Sequence, residues 1–219
     1  NDKRIISSTN EYGTKSIAYD SENAAATITE RDGGVWTYTY DPSLSVPFEV
    51  IDPEGQVTTY TYDEKRNRVS ETDQLGNTTS YTYDNEGNML SITDPEGNTT
   101  AYTYNAYGQI TSITDPAGDT TLYEYDDAGN LISLTDASGA TTVYEYDESG
   151  NVIKITNPIG QITSFTYDAE NNLISLTDAT GAITTFTYDE IGNMISQTDS
   201  YGNATKFEYD DLNRLITVT

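Results

Sequence analysis

Carboxylates and tyrosines are the residues whose types and spacing could do chemistry in this chain. Asp63, Asp84, Asp126, Asp147, Asp168 and Asp189 each follow a tyrosine directly, while Asp52, Asp73, Asp94, Asp115 and Asp136 fall midway between those dipeptides. If successive copies stack, each series lines one rim, and hard oxygen ligands at close spacing are what Ca²⁺ takes. A pair of carboxylates held roughly 5–10 Å apart is also the apparatus of glycoside hydrolysis. Rows of tyrosines offer apolar faces on which sugar rings stack. Nine aromatic pairs, two residues apart, run from Tyr38/Tyr40 to Phe207/Tyr209, with Phe taking the first place in the last three.

Each of these readings meets a plainer one. The calcium loop Asp-x-[Asp/Asn]-x-[Asp/Asn]-Gly does not occur, and an Asp that opens a tight turn is explained by its side chain bonding nearby backbone. The expectation is therefore no cofactor and no metal site, with weak, diffuse Ca²⁺ binding that relieves self-repulsion. Asp and Glu recur in every repeat, whereas a catalytic pair would stand apart at one place. No residue is nominated as catalytic, and the chain is read as no enzyme. Exchange of Tyr for Phe at the first aromatic position points to packing there. Glycan binding by the tyrosine stripe is the rival reading.

Composition closes other routes. The 219 residues include neither Cys nor His, which removes disulfides, thiolates, imidazole triads and the commonest metal ligand. Ten Lys+Arg against 36 Asp+Glu give a net charge of −26, so nucleic acid and anionic membranes are not expected as partners. Residues 69–153 hold fifteen acids and no base. Lys65, Arg66 and Arg68 interrupt a turn and are read as a solvated turn with partial charge compensation. No stretch approaches the roughly 18 apolar residues of a membrane helix. The runs are also too short, and the turns too acidic, for the strands of a membrane barrel, so no membrane insertion is expected.

The elements that must position these groups come from a repeat. Tyr62-Asp63, Tyr83-Asp84, Tyr125-Asp126, Tyr146-Asp147, Tyr167-Asp168 and Tyr188-Asp189 mark a 21-residue period, stretched once to 22 between Tyr40 and Tyr62. Midway sits a Thr-Asp-x-x-Gly segment whose glycines include Gly97, Gly118, Gly139, Gly160 and Gly181, the Asp of one copy being replaced by Asn157. Asp-Pro-Glu-Gly has the profile of a type I turn, and the runs between turns alternate apolar with small polar residues. Each unit reads as a β-hairpin. The whole is an all-β array over residues 1–219, with degenerate repeats at 1–51 and regular ones at 52–219. It amounts to about ten hairpins in a curved or spiralling antiparallel sheet, forming a hollow shell or tube.

An odd period adds a constraint. Shifting antiparallel pairing by one residue flips a side chain to the other face, so tyrosines share a face only if each repeat carries one extra residue somewhere. The expectation places it in the Thr-Asp turn, as a three-residue loop with a Gly bulge, and gives the Tyr-Asp turn an even loop. That register sets Tyr81 opposite Leu90.

The period of Tyr-Asp-x-x-Gly-Asn, then Thr-Asp-Pro-x-Gly, then Thr-x-Tyr-x-Tyr-Asp resembles the YD repeat, also called the RHS repeat, over essentially the whole chain. That family includes bacterial polymorphic toxins, toxin-complex components, wall-associated proteins and the teneurins of animals. The resemblance implies a spiralling sheet around a hollow shell, which in the toxins holds a C-terminal effector. The chain departs from the family in carrying Asn88, Asn130, Asn151 and Asn193 where many relatives have Arg, and in lacking the self-cleaving core domain. The resulting expectation is a structural repeat module of an extracellular or cell-surface bacterial wall, tube or fibre. Its partners would be further repeats of the same or neighbouring chains, with a segment of a toxin-encapsulating shell or a surface-glycan adhesin as alternatives.

Overall fold

The computed structural model describes residues 3–10 and 13–219, and the remaining positions of the expected array, 1, 2, 11 and 12, lie outside them. Among the described residues there are twenty-one strands and no helix. Two compact units divide the chain, Asn1–Asp119 and Thr120–Thr219.

The first unit carries β1 (Lys3–Asn10), β2 (Gly13–Asp20), β3 (Ala25–Thr29), β4 (Val35–Tyr40), β5 (Pro47–Ile51), β6 (Val57–Tyr62), β7 (Arg68–Thr72), β8 (Thr78–Tyr83), β9 (Met89–Thr93), β10 (Thr99–Tyr104) and β11 (Ile110–Thr114). The second carries β12 (Thr120–Tyr125), β13 (Leu131–Thr135), β14 (Thr141–Tyr146), β15 (Val152–Thr156), β16 (Ile162–Tyr167), β17 (Leu173–Thr177), β18 (Ile183–Tyr188), β19 (Met194–Thr198), β20 (Ala204–Tyr209) and β21 (Leu215–Val218). Within each unit every strand pairs antiparallel with its sequence neighbours, for example β8 with β9, β9 with β10, and β13 with β14. Alternating Thr and Tyr favours this pleated state, because β-branched and aromatic side chains fit a half-covered sheet surface.

Both turns of the regular repeat are three-residue loops. At the Thr-Asp turn, Asp94 N donates to Asn98 O at 2.9 Å; at the Tyr-Asp turn, Asp84 N donates to Asn88 O at 2.9 Å. The odd residue is absorbed elsewhere. β8 and β9 pair Tyr83 with Met89, but Thr82 with Ser91 and Tyr81 with Ile92, so Leu90 is a β-bulge. The expected even loop and the Tyr81–Leu90 pairing are thereby corrected. Two equal Gly-bearing loops satisfy the local turn chemistry better, and one extra residue in the strand repairs the parity.

The tyrosines of a unit do share one face. Tyr81 lies opposite Ile92, and Ile92 opposite Thr100, which stands on the same face of β10 as Tyr102. In the second unit Tyr144 lies opposite Ile155, and Phe165 opposite Leu176. The other face is mainly Thr and Ser, linked across strands by hydroxyl contacts such as Thr72–Thr78 at 2.8 Å and Thr82–Ser91 at 2.6 Å, with Leu122, Glu124, Val143, Glu145 and Lys154 among them in the second unit. Thr111 shows where the bulge residue goes: its hydroxyl lies 2.8 Å from that of Thr103, on the hydroxyl face. Among the described residues only Ala26 and Val50 are buried, both on the tyrosine face, so the interior is thin.

Candidate functional site: the turn rims and the tyrosine stripe

Each Tyr-Asp turn is built around its aspartate. Asp84 Oδ1 accepts hydrogen bonds from the backbone of Glu86 (3.0 Å) and Asn88 (2.8 Å), while Oδ2 accepts from Asn88 Nδ2 (2.8 Å). The same three bonds recur at Asp63, Asp126, Asp147, Asp168 and Asp189. The side-chain amide of the following Asn holds each of these carboxyls below its ordinary range. The position before that Asn needs a left-handed backbone, and Gly87 adopts φ 92. On the Thr-Asp rim Gly97, Gly118, Gly139, Gly160 and Gly181 adopt φ between 81 and 91 in the same role. The carboxylates are thus turned toward their own turn's donors. Among the described residues no three acidic groups converge as a metal site would require.

Tyr62, Tyr83, Tyr125, Tyr146, Tyr167 and Tyr188 each end an even-numbered strand. Their hydroxyls show what the pattern conceals. Tyr83 donates to Arg68 O at 2.9 Å, Tyr104 to Met89 O at 2.7 Å, and Tyr146 to Leu131 O at 2.7 Å. Tyr167, Tyr188 and Tyr209 donate likewise to Val152, Leu173 and Met194 O, at 2.9, 2.9 and 3.0 Å. The acceptor always lies fifteen residues back, one residue before the bulge, where the strand ladder is interrupted. Burial raises the pKa of Tyr62, Tyr83, Tyr104, Tyr146, Tyr167 and Tyr188, keeping the phenols neutral. The signal was present in the sequence: Phe replaces the first aromatic of a pair three times and never the second.

Charge enters this face at β7. Arg68 and Glu71 stand where the following repeat has Met89 and Ile92, and they form an ion pair of 2.8 Å. The Arg68 guanidinium also lies 5.0 Å from the Tyr81 ring centre and 5.6 Å from that of Tyr60. Lys65 leans out to donate to the carbonyl of Asn85 in the next turn of that rim, and Arg66 takes the left-handed position at φ 70. The basic trio therefore divides, with Arg68 inside the aromatic stripe and Lys65 and Arg66 on the rim.

Comparison with solved structures places these hairpins in company. The chain is similar to TcdB2-TccC3 without its hypervariable C-terminal region, at 18% identity and TM-score 0.66, over 92% of this chain and 14% of that one. It is similar also to the Photorhabdus luminescens Tc holotoxin pore, at 20% identity and TM-score 0.61, over 91% of this chain and 12% of that one. The chain thus spans about one seventh of the length of the first and one eighth of the second. A comparison with curated protein sequences finds no match. The family described as RHS Repeat matches residues 49–78, 65–99, 86–120, 104–142, 125–160, 146–183, 167–204 and 188–219, an unbroken run over most of the chain. With the tyrosine, aspartate and glycine of each hairpin recurring through that run, this chain belongs to the RHS repeat family.

Proposed function

We propose that this chain is a structural, non-enzymatic module, a run of RHS repeats forming part of a β-sheet wall outside the cell or on its surface. The observation that carries the reading is how little of the chain is interior. Its accessible surface is 14251 Å², where a compact globular chain of 24.1 kDa exposes roughly 10,000 Å². A sheet with two open faces and hairpins that lean only on their neighbours gains stability by continuing into more of the same. Its partners are accordingly further repeats of the same or neighbouring chains. The similarity to Tc toxin components favours a shell that encloses a toxin over an open fibre.

Electron microscopy of the protein at its native length tests this. Hollow rounded particles support a shell, uniform fibres support a continuous wall, and small shapeless particles overturn both. A glycan-binding surface is the second reading, favoured by the turn-tip aromatics Tyr107 and Tyr201, which are 84% and 90% exposed. Weak, diffuse Ca²⁺ association with the acidic rims completes the proposal. It predicts stabilisation by Ca²⁺ and Mg²⁺ alike, without a saturable stoichiometry.

A further inference from the structure

The inserted residue of each repeat falls on the hydroxyl face, where nothing in the hairpin asks for an apolar side chain. Thr111 fills that place with a hydroxyl 2.8 Å from that of Thr103, so the bulge itself accepts a polar residue. Yet throughout the second unit the inserted residue is isoleucine: Ile132, Ile153, Ile174, Ile195 and Ile216. They stand on every second strand from β13 to β21, a row with a step of roughly 9.6 Å. Leu122, Val143, Ile162 and Ile183 share that face on the strands between them. These four, with Ile174 and Ile195, are 38% to 48% exposed. Large apolar side chains grouped on one surface mark it as a place where something else docks.

Charge narrows what that is. Residues 120–219 hold sixteen acids and three bases, and thirteen of those acids stand in turns. The other three, Glu124, Glu145 and Glu208, share the hydroxyl face with Lys154 and Lys206. Lys154 reaches Glu145 at 2.7 Å. This face is therefore close to neutral in a strongly acidic chain, and it offers little field to hold a basic partner. The acidic rims that border it repel an anionic membrane.

Spacing and size point to a second copy. Another run of the same repeats carries its apolar residues at the same step, so two rows offset by one strand interdigitate along their length. Ten strands of mostly five or six residues present a face of roughly 48 by 17 Å, about 800 Å² per copy. That is the area each partner contributes to a stable interface. We propose that the hydroxyl face of the second unit docks on the same face of a second copy, isoleucine row against isoleucine row. The contact is isologous and closes as a dimer. It is made by the faces of the sheets, and so is separate from continuation of the wall edge to edge.

Sedimentation equilibrium of the full chain tests this. A monomer–dimer equilibrium is expected, about tenfold tighter in about 500 mM NaCl than in about 50 mM, because salt screens the rims. Ile174→Thr with Ile195→Thr installs the residue that Thr111 already supplies, and should weaken the dimer about tenfold or more. Should that pair disturb the fold, read by circular dichroism, Ile162→Thr with Ile183→Thr repeats the test. Those places hold Thr120 and Thr141 in other repeats. Val218→Pro separates faces from edges. Lys206 and Thr219 exchange both backbone bonds, so the intervening Val218 N–H points away from β20, and proline there blocks strand addition without breaking the pair. The dimer should survive it. A chain that stays monomeric in both salts, a dimer that weakens with salt, indifference to both Thr pairs, loss of the dimer with Val218→Pro, or binding to phosphatidylcholine vesicles in place of self-association would each overturn the proposal.

Discussion

Tyr102 and Tyr104 sit two residues apart on one face of one strand, and the fold treats them differently. Tyr104 donates its hydroxyl to Met89 O at 2.7 Å, while the place of Tyr102 is held by Phe165, Phe186 and Phe207 in later repeats. Tyr104→Phe should therefore cost about 1 kcal/mol, and Tyr102→Phe a few tenths, in matched urea unfolding. Gly139 isolates a backbone cost in the same way. It lies at φ 86, and a Cβ there would meet nothing within 4 Å, so Gly139→Ala should lose about 1–2 kcal/mol to conformation alone. The reverse change, Arg66→Gly at φ 70, should stabilise. The Phe exchange, the turn aspartates and the turn glycines were all legible in the sequence. The hydroxyl's acceptor was not, because it lies in another strand and is exposed only by a bulge.

At the scale of the hairpin, parity was legible and its mechanism was not. An odd period demands one extra residue per repeat, but composition gives no sign whether loop or strand carries it. Leu90, which reads as one more core apolar residue, proves to be the inserted one and is 38% exposed. The hairpin also has a pH signature. Tyr83, Tyr104, Tyr146, Tyr167 and Tyr188 have pKa values raised above 10.0 by burial, so the stability they contribute is complete below that pH and drains as pH climbs through the raised values. The turn aspartates are shifted the other way, below 3.8. Their contribution is complete above that value and drains as pH falls through the lowered ones. With neither histidine nor cysteine in the chain, no side chain of ordinary pKa titrates between about pH 6 and 9. Thermal midpoints across pH should show a broad plateau with two falling edges, and tyrosinate absorbance should rise together with alkaline unfolding. Ionisation of Tyr83, Tyr104, Tyr146, Tyr167 or Tyr188 well before any unfolding, read residue by residue in NMR, would show that the hydroxyl bonds are uncoupled from the fold.

Across the molecule, stability should accumulate repeat by repeat. Within a unit each hairpin pairs only with its neighbours, so deleting residues 199–219 should lower the urea midpoint while leaving circular dichroism per residue nearly unchanged. Complete unfolding of that truncation would contradict a nearest-neighbour array. A net charge of −26 should make stability rise with NaCl, since screening relieves repulsion among strongly acidic rims. The array itself was the most legible feature of the sequence, because a 21-residue echo carried by an unvarying tyrosine survives substitution at the positions around it. The longer turns after Tyr19 and Tyr40, where Asp20 pairs with Ala25 and Asp41 N donates to Val46 O, were the least legible, since they arise where that echo fails.

Time enters through the tyrosine bonds. Each of these hydroxyls reaches fifteen residues toward the N-terminus, from Tyr83 to Arg68 and onward to Tyr209 and Met194. A ribosome delivers the acceptor first and the donor about a second later, at the usual pace of roughly 5–20 residues per second. Each newly emerged tyrosine thus fastens the hairpin before it, and assembly acquires the direction of a ratchet, closing behind itself as the chain is made.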